Sequence, residues 1–228
     1  MKNVVITGAS KGIGSELGKL LGVTCRVLLL SRDIKKLEEI RYEFPALLIE
    51  KIDLSSGSVK NLVSSLITKH FKTVDVLINN AGHLVAKPIL EITHQDIQQS
   101  FATNVSGLIE TCQAVIPLME KKGGHIVNIG SISGFQGSVK FPGLTIYSSS
   151  KAAVSGFSEC LAEELKDTKI KVNCLALGAA QTEMLEAAFP GYKAPISAKQ
   201  MAEFIADFAL NQHRWINGKT IPVALSTP

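Results

Sequence analysis

The chain has 228 residues and a formal net charge of +4, and 46% of its residues are hydrophobic. This size predicts one domain over residues 1–228 with a full hydrophobic core, and its scattered cations argue against nucleic-acid binding. No segment approaches the roughly 18 apolar residues of a membrane span, no signal peptide is recognisable, and the cysteines form no Cys-x-x-Cys pair. We therefore expect a cytoplasmic protein with reduced thiols that binds neither membrane nor metal.

Short apolar runs alternate with longer amphipathic segments along the chain. Strands are predicted at residues 3–7, 26–30, 46–52, 74–79, 125–129, 170–176 and 219–223. Helices are predicted from the first glycine loop to about residue 21, and then at 33–43, 58–70, 93–121, 146–167 and 198–210. This alternation indicates an α/β fold with a doubly wound parallel sheet that has helices on both faces.

Two long stretches, 132–145 and 177–197, show no regular pattern. Each follows a predicted strand and so lies at the end of the sheet where doubly wound folds bind ligands. Loops of this length in compact domains are usually functional or disordered. We favour a binding role for both, with plain surface loops as the alternative.

A glycine-rich loop joins the first strand to the first helix. It reads Thr-Gly-Ala-Ser-Lys-Gly-Ile-Gly and contains Gly8, Ser10, Lys11, Gly12, Ile13 and Gly14. Glycine allows a tight turn and a close approach of backbone to ligand, and the helix start offers free N–H groups to a diphosphate. The strand–loop–helix setting predicts a dinucleotide site, with a plain glycine-rich turn as the alternative.

The end of the second strand bears on which dinucleotide binds. NAD sites usually place a carboxylate there, but this strand ends Leu30-Ser31-Arg32, and Asp33 is better suited to cap the next helix. Arg32 could pair with a 2′-phosphate, and Lys11 could add a second cation. The sequence therefore favours NADP(H) over NAD(H), unless both are merely solvated surface charges.

Tyr147 and Lys151 lie four residues apart in a predicted helix and share one face. A free tyrosine has a pKa of about 10, and a nearby ammonium group is expected to lower it. Such a tyrosine suits proton transfer between an alcohol and a ketone. The alternative for this common spacing is a tyrosine that packs over a lysine stem.

Two further polar residues fit the same chemistry. Ser131 follows the fifth strand and could hydrogen-bond a substrate carbonyl, although Ser133 is a rival for that role. Asn104 is predicted inside a helix, where asparagine is not favoured. It could bond backbone and hold a water, or it could simply face solvent.

These motifs together resemble the short-chain dehydrogenase/reductase family over nearly the whole chain. The glycine loop matches the cofactor loop of the family, Asp53-Leu54 its adenine contact, and Asn79-Asn80-Ala81-Gly82 the signature after its fourth strand. The catalytic tetrad of the family is matched by Asn104, Ser131, Tyr147 and Lys151.

The resemblance implies one Rossmann-like domain with a seven-stranded parallel sheet. It implies that Tyr147 transfers the proton, Lys151 lowers the pKa of Tyr147 and holds the nicotinamide ribose, Ser131 orients the carbonyl, and Asn104 supports a water relay. It also implies a homodimer or homotetramer that pairs through helices near 104–121 and 147–167.

The chain departs from the family pattern at three places. The gap from Ser131 to Tyr147 is longer than usual, which puts extra residues at 136–145 beside the site. Leu177-Gly178 replaces the usual Pro-Gly, while Thr182 is kept where the family binds the nicotinamide amide. The usual Asp-Gly-Gly after the last strand is replaced by Ala224-Leu225, which bears on tetramer packing.

These observations predict an NADPH-dependent carbonyl reductase, or the reverse alcohol dehydrogenase, that acts on a small or medium hydrophobic compound. The pocket walls are expected to be largely apolar and to come from Phe141, Leu144, Met184, Leu185, Phe189 and Tyr192. One alternative is a non-catalytic NADP-binding sensor or scaffold, although such a protein would not need Tyr147 with Lys151. Another is a dehydratase or epimerase, although such relatives usually carry a larger substrate domain.

Overall fold

The computed structural model describes residues 1–225. Seven strands form one sheet that is parallel throughout, in the order β3-β2-β1-β4-β5-β6-β9. The strands are β1 (Asn3–Thr7), β2 (Arg26–Ser31), β3 (Leu48–Lys51), β4 (Val76–Asn79), β5 (Gly124–Ile129), β6 (Ile170–Leu177), β7 (Ala180–Gln181), β8 (Ile196–Ser197) and β9 (Thr220–Val223). The short strands β7 and β8 pair separately. The predicted seven-stranded Rossmann-like sheet is confirmed.

Helices cover both faces of this sheet. They are α1 (Gly12–Leu21), α2 (Ile34–Glu43), α3 (Lys60–Thr68), α4 (His94–Phe101), α5 (Gly107–Met119), α6 (Thr145–Glu164), α7 (Glu183–Ala188) and α8 (Ala198–Asn211). Helices α1, α2 and α8 pack on one face, and α3, α5 and α6 pack on the other. None of the helices within residues 1–225 is long and apolar enough to cross a bilayer.

The central strands are apolar on both sides because both faces are covered. In β1, Val4 and Ile6 join the core beneath α1 and α8, while Val5 between them joins the core beneath α3 and α5. All three side chains are fully buried. A strand that alternates between two cores must be apolar at every position, which is why β1 shows no polar alternation.

Two segments differ from the sequence prediction. The predicted helix at 93–121 is divided into α4 and α5 by a π-helical turn at Ala102–Ser106. The stretch at 177–197, expected to be irregular, contains β7, α7 and β8. In α7 the Thr182 side chain accepts a hydrogen bond from the Leu185 N–H, so a local cap starts a helix too short for periodicity to reveal.

The strand order places a crevice at the carboxyl ends of β1 and β4. From β1 the chain crosses outward to β2 and β3 on one side, and it then returns to build the sheet outward from β4 on the other side of β1. Helices that connect such strands diverge at this point and leave room for a ligand. The glycine loop after β1 and the Asn-Asn-Ala-Gly segment after β4 both open into this crevice.

Candidate active site

One cavity of about 620 Å³ opens at the carboxyl ends of the strands. Its volume is typical of small-molecule sites. The cavity is lined by nearly all of the predicted site residues, namely Gly8, Ser10, Lys11, Gly12, Ile13, Ser31, Arg32, Asp53, Leu54, Asn80, Ala81, Gly82, Ser131, Tyr147, Lys151, Gly178 and Thr182. Gly14 and Asn104 lie behind its wall, and both are buried. The fold therefore brings the predicted site residues together from distant parts of the chain.

The glycine loop forms a cradle that leaves no space for a side chain at Gly8 or Gly14. Gly8 has a φ of 66°, and a Cβ atom there would lie 2.5 Å from the Cα of Ala81. A Cβ atom at Gly14 would overlap the carbonyl oxygen of Gly8 and lie 2.5 Å from Asn80 Nδ2. The Asn80 amide in turn donates to the carbonyl oxygens of Thr7 (3.2 Å) and Gly8 (3.0 Å). These contacts fix the loop against the segment after β4, and its shape fits a diphosphate.

Ser31 is the last residue of β2, and Asp53 lies in the loop after β3. The Ser31 hydroxyl donates to Ser10 Oγ at 2.8 Å, so it ties the end of β2 to the glycine loop. Asp53 Oδ1 accepts bonds from the N–H (2.9 Å) and hydroxyl (2.7 Å) of Ser55, an arrangement typical of a turn. Burial opposes ionisation of Asp53, but these bonds and the charge of Arg32 hold its pKa below the ordinary value. The second carboxylate oxygen makes no bond within residues 1–225.

Three exposed cations surround the end of the cavity next to β2. Arg32 and Lys11 line it as the sequence predicts, and Asp33 caps α2 by accepting from the N–H of Lys36 at 3.2 Å. Lys36 also lines the cavity, and sequence reasoning missed it. Its place in the first turn of α2, four residues after Arg32, is the signal that could have revealed it.

Tyr147 and Ser131 lie at the opposite end of the cavity. Tyr147 is in the first turn of α6, and Ser131 follows β5 directly. Burial raises the pKa of Tyr147 above its ordinary value, and the Ser131 hydroxyl acts in the opposite direction. The net lowering of this pKa expected from Lys151 is therefore not found in the protein alone, because desolvation of the phenolate outweighs the effect of the cation.

Lys151 lies one helical turn after Tyr147 and is 3% exposed. Its ammonium group donates to the carbonyl oxygen of Ile129 at 2.7 Å and lies 5.9 Å from the centroid of the Tyr147 ring. Burial lowers the pKa of Lys151 to about 8, although the neighbouring Cys174 acts weakly in the other direction. The ammonium group retains further hydrogen-bond donors that could face the cavity.

Asn104 sits in the π-helical turn between α4 and α5 and is fully buried. Its Oδ1 accepts from the N–H of His83 at 2.7 Å, and its Nδ2 donates to the carbonyl oxygen of His83 and to Ser150 Oγ, both at 2.9 Å. The solvent-facing alternative is excluded by this burial. Single π turns occur frequently at functional sites, and here the turn carries the asparagine.

The structure separates the roles of Ser131 and Ser133. Ser131 Oγ accepts from the N–H of Ser133 at 3.2 Å and lies 3.0 Å from Ser133 Oγ. Ser133 is 2% exposed, while Ser131 is only partly buried and acts on Tyr147. Ser131 is therefore the serine beside the tyrosine, and Ser133 holds the Ser131 hydroxyl through its backbone N–H.

The segment after β6 remains ordered despite its departure from the family pattern. Leu177 extends β6 opposite Val223 of β9, and the N–H of Gly178 donates to the carbonyl oxygen of Val223 at 2.9 Å. Replacement of the usual proline by leucine thus leaves Gly178 in the cavity wall. The predicted apolar wall residues all line the cavity: Phe141, Leu144, Met184, Leu185, Phe189 and Tyr192.

Comparisons with known proteins agree with this arrangement. A family profile described as short chain dehydrogenase matches residues 2–193. A 3-oxoacyl-[acyl-carrier-protein] reductase from Chlamydia trachomatis is 29% identical, over 92% of this chain and 88% of the relative.

Solved structures share the whole architecture. A short-chain dehydrogenase from Shigella flexneri in complex with NADP is 27% identical with a TM-score of 0.87, covering 97% of this chain and 96% of its own. A 3-ketoacyl-(acyl-carrier-protein) reductase from Brucella melitensis in complex with NADH is 25% identical with a TM-score of 0.86, covering 97% and 96%. The chain therefore belongs to the short-chain dehydrogenase family and is an oxidoreductase of that family.

Proposed function

We propose that this protein is an NADP-dependent oxidoreductase that interconverts a carbonyl compound and an alcohol, with Tyr147 as the general acid and base. One observation carries the proposal: Tyr147, Lys151 and Ser131 line the same cavity as the glycine cradle. A dinucleotide laid along this cavity would reach from the cations near Arg32 to the phenol. Sharing the fold would not by itself support an activity, but this convergence of side chains does.

The preference for NADP(H) over NAD(H) rests on the charges at one end of the cavity. Arg32, Lys11 and Lys36 line this end, and the end of β2 offers Ser31 where an NAD site would place a carboxylate. Relatives have been crystallised with NADP and with NADH, so the family as a whole uses both. The cations of this chain support a 2′-phosphate partner.

Proton transfer follows from the environment of Tyr147. Its raised pKa keeps the phenol protonated at neutral pH, which suits donation of a proton to a carbonyl oxygen. Ser131 lies beside the phenol and could share the charge that develops on the same oxygen. NADPH, when bound, supplies the hydride.

Lys151 and Asn104 assist proton transfer by Tyr147, the first through its charge and the second through a free acceptor position. The Lys151 ammonium group near the Tyr147 ring favours the phenolate once the proton has left. Asn104 Oδ1 uses one acceptor position on His83 and retains a second one. A water held there could return a proton towards Lys151 and Tyr147.

The other half of the cavity supports an uncharged, apolar substrate of small or medium size. The predicted wall residues in this half are all aliphatic or aromatic. Most charged lining residues belong instead to the glycine loop and to the ends of β2 and β3, and the α7 carboxylate of Glu183 lies against the glycine loop. Pairing into a dimer or tetramer through α5 and α6, and a cytoplasmic location, stay predictions.

The first experiment is thermal denaturation with NADPH and with NADH, since it needs no substrate. A ligand at about 100 times its Kd should add about 2.7 kcal/mol to the free energy of unfolding. Stabilisation by NADPH alone would support the proposal and justify a screen of apolar aldehydes and ketones by NADPH absorbance. Equal stabilisation by NADPH and NADH would mean that Arg32 and Lys11 do not select between the two dinucleotides. No stabilisation by either dinucleotide would contradict the proposal.

A further inference from the structure

A carboxylate from α7 reaches the start of α1, where the cofactor cradle lies. Glu183 is the first residue of α7, and Gly12 is the first residue of α1. A Cβ atom at Gly12 would lie 3.5 Å from Glu183 Oε2 and 3.2 Å from Thr182 Cγ2. Glu183 also lines the same cavity as the glycine loop. An anionic side chain therefore stands at the positive end of the α1 dipole.

No hydrogen bond or ion pair within residues 1–225 explains the position of the Glu183 carboxylate. Within residues 1–225 Glu183 makes no ion pair with a side chain and no side-chain hydrogen bond. Glu186, one turn later, is engaged locally: its carboxylate accepts from the N–H of Gly191 at 3.1 Å and from Gln181 Nε2 at 3.4 Å. Of these two glutamates, Glu183 lies beside Gly12 and has no hydrogen bond or ion pair in the part of the chain that the structure describes.

Helix α7 is lightly attached to the rest of the protein. None of its residues is buried, and its start is fixed by the Thr182 cap at 3.2 Å. The flanking strands β7 and β8 pair over two residues each. Elements with few buried contacts open at low free-energy cost, so α7 can move while the sheet stays intact.

We propose that Glu183 occupies the diphosphate position as a resident anion and competes with the dinucleotide for the start of α1. Binding of the diphosphate then requires the Glu183 carboxylate to leave the start of α1, by rotation of its side chain or by movement of α7. The residue thereby weakens dinucleotide affinity and speeds release. This inference rests on the proposed function, because it assumes that a dinucleotide binds in the cradle.

The test compares Glu183→Gln with Glu203→Gln by calorimetric titration of NADP⁺. Glu203 is an exposed residue of α8 that lies outside the cavity, so its substitution makes the same change in net charge elsewhere. Removing a charge a few Å from the diphosphate should lower the Kd of the Glu183→Gln variant roughly tenfold at low salt. The gain should shrink at high ionic strength because the charge is exposed.

A second ligand, adenosine 2′-monophosphate, separates a local effect from a general one. It carries the 2′-phosphate but lacks the diphosphate, so its Kd should be the same in the wild type and in both variants. The proposal would be overturned by an unchanged NADP⁺ Kd in Glu183→Gln, or by an equal gain for adenosine 2′-monophosphate. Absence of any dinucleotide binding by the wild type would overturn the proposed function instead, and this inference with it.

Discussion

The ammonium nitrogen of Lys151 lies 5.9 Å from the centroid of the Tyr147 ring, and both residues line the cavity. Burial acts on both residues in the direction of the neutral form: it raises the pKa of Tyr147 and lowers that of Lys151 to about 8. The pair is therefore a neutral phenol next to an ammonium group that is easily deprotonated.

This shift predicts how stability depends on pH. The ordinary pKa of Lys151 is 10.5 and its folded value is about 8, so between these values the unfolded chain binds the proton more strongly. The free energy of unfolding of the wild type should therefore rise from about pH 8 to pH 10.5, by on the order of 3 kcal/mol relative to Lys151→Met. Urea denaturation of both proteins across this range measures the difference. If the free energy of unfolding changed with pH in the same way in both proteins, the lowered pKa assigned to the buried Lys151 would be contradicted.

Ser150 is predicted to hold Asn104 in place. Its hydroxyl accepts from Asn104 Nδ2 at 2.9 Å and donates to the carbonyl oxygen of Tyr147 at 2.7 Å, and it is fully buried. Ser150→Ala should lower the free energy of unfolding by about 1 to 3 kcal/mol, because a buried donor loses a partner. The neighbouring Ser149 is exposed, so Ser149→Ala should stay within about 0.5 kcal/mol of the wild type. Equal effects of the two substitutions in urea denaturation would contradict the network.

Arg32 is predicted to select the phosphorylated dinucleotide. Arg32→Ala should raise the Kd for NADPH roughly tenfold, the lower end expected for an exposed charge-assisted bond, and leave the Kd for NADH nearly unchanged. Arg41→Ala is the matched control, since Arg41 is an exposed cation in the last turn of α2, the helix that follows Arg32, and lies outside the cavity. Fluorescence titration with each dinucleotide gives the values. A similar loss in both variants would show that only net charge matters.

The sheet and most of the site could be predicted from the sequence because their signals are local. The apolar run of β1, the glycines after it and the Tyr-x-x-x-Lys spacing each occupy a few adjacent residues. The parallel topology then brings these segments to one edge of the sheet. Seven predicted strands could therefore position residues from Gly8 to Thr182 around one cavity.

Features that depend on packing between distant segments could not be predicted in this way. The raised pKa of Tyr147 follows from burial by other parts of the chain, while the sequence shows only the nearby lysine. The π turn around Asn104 and the position of Glu183 beside Gly12 likewise depend on tertiary structure. Lys36 gave only a weak local signal, its place four residues after Arg32, and the six-residue helix α7 is too short to show an apolar repeat.

The most direct test of the proposed mechanism is Tyr147→Phe, measured for both NADPH binding and turnover of a carbonyl substrate found in the screen. The substitution removes only the phenolic hydroxyl, so NADPH affinity should stay close to that of the wild type. Turnover should fall at least about 100-fold, as expected when a general acid is lost. Tyr42→Phe, which changes an 89% exposed tyrosine outside the cavity, should keep full turnover. Turnover retained in Tyr147→Phe would contradict the assignment of Tyr147 as the proton donor.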